Sequence, residues 1–299
     1  MSSNHSKKLI VIAGPTAVGK TDFAIRLAKY HKTEIISADS RQMYKELTIG
    51  TAKPDTEQLK EVKHHFVDNI SIHDYYSAAR FELEVMDLLS SLFKDRDHVV
   101  MVGGSGLYID AVCEGIDELP DIDEDLRKKL NLLYKNEGLE AIRNRLKELD
   151  PEFYEIIDQS NPKRIIRALE VCIATGIKYS EQRTNIKKKR EFEIIKIALN
   201  LDRKILYDRI NERVDQMIND GLIDEAKNLY DFRDLNALNT VGYKELFDYF
   251  SDDITLEKAI ENIKTSSRRY AKRQLTWFRK DPTYQWFHPS ELEKVIKLC

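Results

Sequence analysis

Apolar positions along this chain come in two rhythms: short unbroken runs, and residues recurring every three or four places. Leu9-Ile10-Val11-Ile12-Ala13 and His98-Val99-Val100-Met101-Val102 are runs of the first kind, as expected of strands covered on both faces. Ile35-Ile36 predicts a shorter strand, and Glu193 to Leu201 another. The helical rhythm takes over between them. Phe23, Ala24, Leu27 and Ala28 predict a helix from Thr21 to the region of Tyr30, and Ala78, Phe81, Val85, Leu88, Leu89 and Leu92 predict one over Tyr76–Phe93. From Pro120 to Arg190 no β-branched runs appear. Asp123–Asn136, Gly138–Leu149, Pro151–Ile157 and Pro162–Thr175 read as short helices, broken at Asp150-Pro151 and Asn161-Pro162, with Gly176 as a C-cap. After Leu201 the reading is helical: Ile205, Ile210, Val214, Met217 and Ile218 mark one helix ending near Gly221, and Leu256 to Lys280 forms a last, long one.

Composition narrows the class. The chain has 299 residues, 42% hydrophobic and 33% charged, which suits a soluble folded protein of one large domain or two modest ones. A net charge of −3 argues against a uniformly basic nucleic-acid binder and leaves room for a local basic patch. Cys113, Cys172 and Cys299 are far apart and odd in number, so they read as reduced thiols rather than a disulfide framework or a zinc site. Met1 to Ser6 is short and polar with no signal-peptide core, and no apolar run is long enough to span a bilayer. The expectation is a cytoplasmic protein, with no membrane partner.

The first strand runs into Gly14-Pro15-Thr16-Ala17-Val18-Gly19-Lys20-Thr21, which fits the phosphate-binding pattern G-x-x-x-x-G-K-[ST]. The glycines let the backbone bend and turn several N–H groups towards one point, Lys20 adds a mobile positive charge, and the Thr21 hydroxyl suits a magnesium ion bridging phosphate oxygens. The helix that follows aims its positive end at the same anion. The predicted fold is therefore α/β, a P-loop NTPase-like parallel sheet core (residues 1–119 and 191–299) with a helical insertion domain (residues 120–190) and a helical C-terminal region.

Other candidates depend on that fold. Asp39 follows the Ile35-Ile36 strand, where ligand-facing residues of a parallel sheet lie; it reads equally as an N-cap before Ser40-Arg41-Gln42. Gly103-Gly104-Ser105-Gly106 ends another strand, and Ser105 reads either as a phosphate donor or as part of a plain glycine turn. Arg209 and Arg213, four apart, share a helix face that either reaches an anion or carries exposed salt bridges. Leu47 to Pro54 reads as a surface loop, and His64-His65, pointing different ways, make a poor metal pair. From Asn262 to Lys280 the last helix carries Lys264, Arg268, Arg269, Lys272, Arg273, Arg279 and Lys280 without an acidic residue, interleaved with Tyr270, Trp277 and Phe278. That is the footprint of an RNA-binding helix, or of a basic helix lying on an acidic surface of its own protein.

Taken together, these segments resemble the tRNA dimethylallyltransferases, also called tRNA isopentenyltransferases. The resemblance is carried, in the family's order, by residues 14–21, Ser37-Ala38-Asp39-Ser40-Arg41-Gln42-Met43-Tyr44, Ile49-Gly50-Thr51-Ala52-Lys53-Pro54 and His64-His65-Phe66-Val67-Asp68. It continues with Gly103-Gly104-Ser105-Gly106-Leu107-Tyr108, Pro162-Lys163-Arg164-Ile165-Ile166-Arg167-Ala168-Leu169-Glu170, Val241-Gly242-Tyr243-Lys244-Glu245 and Lys272-Arg273-Gln274-Leu275-Thr276-Trp277-Phe278-Arg279. Ser105 stands where the family often has threonine and keeps its hydroxyl. The zinc-finger extension of eukaryotic members is not in this sequence, which suits the bacterial type.

The resemblance implies transfer of a dimethylallyl group from dimethylallyl diphosphate to the exocyclic amine of the adenosine 3′-adjacent to the anticodon, on a monomer that grips a tRNA anticodon stem-loop. Residues 14–21 would then hold the donor's diphosphate with Mg2+ at Thr21. Asp39 would be the base, and Lys20, Ser105 and Arg213, with Arg209 as second choice, would stabilise the leaving group. The tRNA contacts implied are Asp39, Ser40, Arg41, Gln42, Arg127, Lys163, Arg164, Ile165, Ile166, Arg167, the stretch from Asn239 through Gly242, Tyr243 and Lys244, and Lys272, Arg273, Gln274, Trp277 and Arg279. Two rivals share the N-terminal motifs: a P-loop kinase of a small metabolite, which leaves the basic last helix idle, and an adenylate isopentenyltransferase, whose free-nucleotide acceptor needs no RNA-gripping tail.

Overall fold

The computed structural model describes residues 7–117, 119–120, 123–184 and 186–299. Met1 to Ser6, read above as short and polar with no signal-peptide core, lies outside the described residues, as do positions 118, 121, 122 and 185. By its internal contacts the chain divides into two units: one of Met1–Glu114 with Lys189–Cys299, the other Gly115–Lys188.

The first unit is built on a six-stranded sheet, in which β1 (Lys8–Ala13), β2 (Ile35–Ser37), β3 (His64–His65), β4 (His98–Gly103), β5 (Glu193–Leu199) and β6 (Gln285–Phe287) lie in the order β3-β2-β4-β1-β5-β6. Every pairing is parallel, and β1 is central, with Ile10 opposite Val100 on one side and Ile195 on the other. Parallel strands need crossovers, and helices supply them on both faces. The strand period of two then splits each apolar run between two cores. Leu9, Val11, Val99 and Met101 face one cluster, whereas Ile10, Ile12, Val100 and Val102 face the other.

Helices α1 (Lys20–His31), α2 (Thr56–Glu61), α3 (Ala78–Leu92) and α4 (Gly106–Glu114) follow the early strands. The Ser77 side chain caps α3 by accepting from the Arg80 amide, so this helix begins two residues later than its apolar spacing suggests. The second unit holds α5 (Glu124–Leu149), α6 (Pro151–Ile156), α7 (Pro162–Thr175) and α8 (Tyr179–Gln182) around its own core of Leu130, Ile142, Leu146, Phe153, Ile165 and Leu169. The break anticipated ahead of Gly138 is a kink inside α5, where Gly138 takes φ 82° and ψ −173°, a conformation essentially restricted to glycine. Asp150, fully buried, accepts from the amides of Phe153 and Ser180 and so ties α6 to α8.

The first unit is completed by α9 (Arg203–Asn219), α10 (Leu222–Asn228), α11 (Tyr243–Phe250), α12 (Leu256–Phe278) and α13 (Leu292–Leu298). The region after Leu201 is not wholly helical as its pattern implied, because β6 extends the sheet beside β5. Its three residues are too short a run to show a period, and only pairing with Ile197 to Leu199 reveals them. Among the described residues no helix is long and apolar enough to cross a membrane.

Candidate active site

The site is assembled where β1, β2 and β4 end, the edge of a parallel sheet at which ligands bind. Three segments leave these strands and meet at one cavity of about 570 Å³ within the first unit. From β1 comes the glycine-lysine loop, with Thr16, Ala17, Gly19, Lys20 and Thr21 on its wall; from β2 come Ser37 and Asp39; from β4 come Gly103 and Gly104. Arg209 and Arg213 of α9 and Ser267, Tyr270 and Gln274 of α12 close the remaining sides.

The loop takes the shape of an anion nest. Ala17 and Gly19 have φ of 62° and 97°, so their amides turn inwards, and Gly19 starts α1 with no side chain capping the helix. Its first-turn N–H groups are thereby left for a bound anion. Lys20 donates to the carbonyl of Pro15 at 2.7 Å. Burial, reinforced by the Arg213 charge and opposed by Asp39, pushes the Lys20 ammonium down to about 7. Burial likewise lowers Arg213, with Asp39 and Asp22 acting against it. Arg213 reaches the loop directly, donating to Thr16 Oγ1 at 3.2 Å. Two cations held this far from water, next to turned-in amides, form a site short of negative charge.

Both placements left open for Asp39 by its position are realised in part: it caps a turn, with no helix following, and it lines the cavity. Its Oδ1 accepts from the amides of Arg41 at 2.9 Å and Gln42 at 3.4 Å, an Asx turn that bends the chain after β2. The same side chain lines the cavity with Lys20. Both bonds end on Oδ1. Ser105 braces this turn. Its hydroxyl oxygen accepts from the Ser40 amide at 3.0 Å and donates to Ser40 Oγ at 3.2 Å. Tyr270 completes the corner; burial and the Asp39 charge push its phenol up to about 12 despite a hydrogen bond with Ser105.

The stretch read as a surface loop, Leu47 to Pro54, turns out to be a cavity wall over Gly50–Pro54. Glu225 holds it there: its carboxylate accepts from the amides of Thr48, Ile49 and Gly50 at 3.1, 2.8 and 3.0 Å and from the Tyr243 hydroxyl at 2.6 Å. Nothing in the sequence marks Glu225, because three of its partners are backbone amides 175 or more positions away and the fourth is a hydroxyl on another helix. His64 and His65 form the short edge strand β3 and are engaged separately, His64 Nδ1 with the Val62 carbonyl and His65 Nε2 with Glu34. Among the described residues no three His, Cys, Asp or Glu side chains are grouped to hold a metal.

The residues expected to touch RNA divide sharply by exposure. Lys163, Arg164, Lys244, Lys272, Arg273, Trp277 and Arg279 are exposed; Ser40, Arg41 and Gln42 are half-buried, the last two on the cavity wall. Ile165, Ile166, Gln274 and Tyr243 are 1%, 5%, 5% and 0% exposed, and this corrects the expectation of direct side-chain contact. The two isoleucines fill the second unit's core, Tyr243 the first unit's core, and Gln274 is tied to backbone. Arg127 is engaged as well: it forms a fork onto Glu170, with one bond of 2.6 Å, while Arg167 donates to the Pro120 carbonyl and stands 3.6 Å from the same carboxylate. Glu170 is 2% exposed, so this pairing neutralises a buried charge.

Comparison with known proteins follows the same lines. A sequence-family profile described as IPP transferase matches residues 42–281. The chain is 52% identical over 291 residues to tRNA dimethylallyltransferase 1 of Bacteroides fragilis (strain YCH46), covering 97% of both chains. It is 54% identical over 288 residues to tRNA dimethylallyltransferase 2 of Parabacteroides distasonis, covering 96% of each. Among solved structures, the full-length tRNA isopentenylpyrophosphate transferase of Bacillus halodurans superposes with a TM-score of 0.71 at 39% identity, over 98% of this chain and 95% of that one. A eukaryotic dimethylallyltransferase described as acting on tRNA gives 0.71 at 29% identity, over 91% and 70%.

Proposed function

The chain belongs to the tRNA dimethylallyltransferase (IPP transferase) family, and from that premise we propose that it moves a dimethylallyl group from dimethylallyl diphosphate to the exocyclic amine of the adenosine 3′ to a tRNA anticodon. The observation that carries this reading is the sharing of one cavity by the phosphate loop, two buried cations and the Asp39 carboxylate. An adenine amine is a weak nucleophile because its lone pair is delocalised into the ring. As its nitrogen bonds to the allylic carbon it must lose a proton, and the Asp39 carboxylate takes it. The carbon–oxygen bond to the diphosphate breaks on the other side, and the departing charge is met by loop amides, Lys20 and Arg213.

The donor set here suits Mg2+, which prefers a few hard oxygen ligands and keeps phosphate and water as the rest. The Thr21 hydroxyl would hold it, with the Asp22 and Asp39 carboxylates on the same cavity wall. Bound there, the ion would neutralise charge on the leaving diphosphate.

The acceptor base must leave its stack to reach the cavity. Arg41 and Gln42 on the cavity wall, with the exposed Lys272, Arg273, Trp277 and Arg279 of α12, suit the loop that presents it. Lys163 and Arg164, exposed on the second unit, serve as a further grip on the same RNA. Three free thiols accord with a reducing cytoplasm, and the enzyme is proposed to act as a monomer. Incubation with unmodified tRNA and labelled dimethylallyl diphosphate, followed by nucleoside analysis, tests the reading. Label in the adenosine beside the anticodon is expected. Phosphoryl transfer from ATP to a metabolite, or label only in free adenine nucleotides, would overturn it.

A further inference from the structure

Gln274 was expected at an RNA surface and is instead buried, and its position assigns it other work. It lies on α12 between residues of opposite fate. Ala271, Gln274 and Phe278 point into the protein, whereas Lys272, Arg273, Thr276, Trp277 and Arg279 are exposed. Both ends of its amide are used. Oε1 accepts from the Thr16 amide of the phosphate loop at 2.9 Å, and Nε2 donates to the Gly104 carbonyl beyond β4 at 3.0 Å. Thr16 in turn accepts from Arg213 through its hydroxyl. The fit leaves no slack: a methyl group on Gly104 would stand 2.2 Å from Gln274 Nε2, and one on Gly106 would stand 2.3 Å from the Trp277 ring. Trp277 is pinned one turn on by donating to Asp110 at 2.8 Å.

We propose that Gln274 is a positioning residue for prenyl transfer: it fixes the phosphate loop against the very helix whose opposite face meets RNA. This rests on the function proposed above. A primary amide suits the task because it accepts and donates at once. An ionised carboxylate of the same shape would satisfy Thr16 and repel the Gly104 carbonyl. One helix thereby sets the register between the two substrates, its outer residues holding the acceptor and Gln274 holding the cradle of the donor. The Thr16 amide is engaged before any ligand arrives, so the anion is left to the amides further along the loop.

Two variants test this. Gln274→Met keeps length and apolar packing and removes both bonds; Gln274→Glu keeps the shape. Calorimetry with inorganic diphosphate and steady-state assays with tRNA and dimethylallyl diphosphate separate the substrates. Gln274→Met is expected to raise the diphosphate Kd and the KM for the prenyl donor about tenfold, the effect of one or two lost neutral hydrogen bonds, with the KM for tRNA unchanged. Measured against the wild type at the same pH, Gln274→Glu is expected to be defective at about pH 8 and to recover towards about pH 6, where a protonated carboxyl again donates to Gly104; the Met variant keeps the same deficit relative to the wild type at both pH values. Wild-type diphosphate affinity in the Met variant, or a Glu variant whose defect ignores pH, overturns the assignment. Should either variant melt before assay, amide exchange in the wild type decides: the Thr16 N–H is expected to be protected, and fast exchange overturns the proposal. If the wild type transfers no prenyl group to tRNA, the functional reading falls, and the diphosphate titration still judges Gln274 by itself.

Discussion

Asp39 and Lys20 carry opposite charges into one cavity, and each makes a separate prediction. Removing the carboxylate with Asp39→Ala takes away the proton acceptor and its Asx turn. Single-turnover transfer is expected to fall by about 10²–10⁴ with tRNA affinity retained, measured by quench flow and filter binding. Lys20 sets a pH dependence. In the ligand-free protein its ammonium is held down to about 7, and a diphosphate beside it restores the charge. Above about pH 7 binding must therefore draw in a proton, so the affinity for diphosphate declines as pH rises, by up to about tenfold per unit. Calorimetry at about pH 8 in buffers of different ionisation heat should show net proton uptake, absent in Lys20→Met. The same depressed affinity costs the unliganded fold stability below about pH 7, and that cost is relieved as pH climbs towards 10.5.

Among the elements, α12 does two things by virtue of its length. Over Leu256–Phe278 its inner face reaches both cores, with Ala259, Ile263 and Phe278 in one and Ala271 in the other. Its outer face is basic without being idle: Lys264 pairs with Asp215 and Arg268 with Asn211, so these two brace α9. The basic-helix-on-acidic-surface reading thus holds at Lys264 alone, and the exposed Lys272, Arg273 and Arg279 remain for a partner. Replacing these three with alanine is expected to lower tRNA affinity and flatten its salt dependence. Each lost phosphate contact takes about 0.7 from the slope of log K against log salt, measured by filter binding across a KCl series. The bracing of α9 was not visible in the charge pattern, because Asp215 and Asn211 come from another helix.

The whole molecule consists of two units with separate cores. Among the described residues, those lining the candidate active-site cavity all belong to the first. The chain leaves that unit after Glu114 and re-enters it at Lys189. Arg190 holds the two ends together, donating to the carbonyls of Ala111 and Val112 at 2.9 and 2.8 Å and pairing with the buried Glu82 at 2.7 Å. Replacing residues 115–188 with a short glycine-serine linker is therefore expected to leave a folded first unit. It should bind inorganic diphosphate as the full chain does and bind tRNA more weakly, as measured by calorimetry and filter binding. An unfolded product would show that the first unit depends on the second.

The local signals in this sequence are strong where chemistry demands a residue type at a fixed spacing. The apolar runs dictate the three longer strands, β1, β4 and β5, and mark the short β2, because a strand buried on both faces is confined largely to apolar residues. The glycine-lysine loop dictates an anion nest, since few other sequences turn that many amides inwards. Tertiary structure alone decided which distant residues serve the site. Glu225 anchors the Gly50 loop, Gln274 anchors Thr16, and Tyr243, Ile165 and Ile166 are core rather than surface. The reason is physical: a side chain that bonds to backbone groups from remote segments leaves no periodic trace in its own segment, and burial depends on what packs opposite.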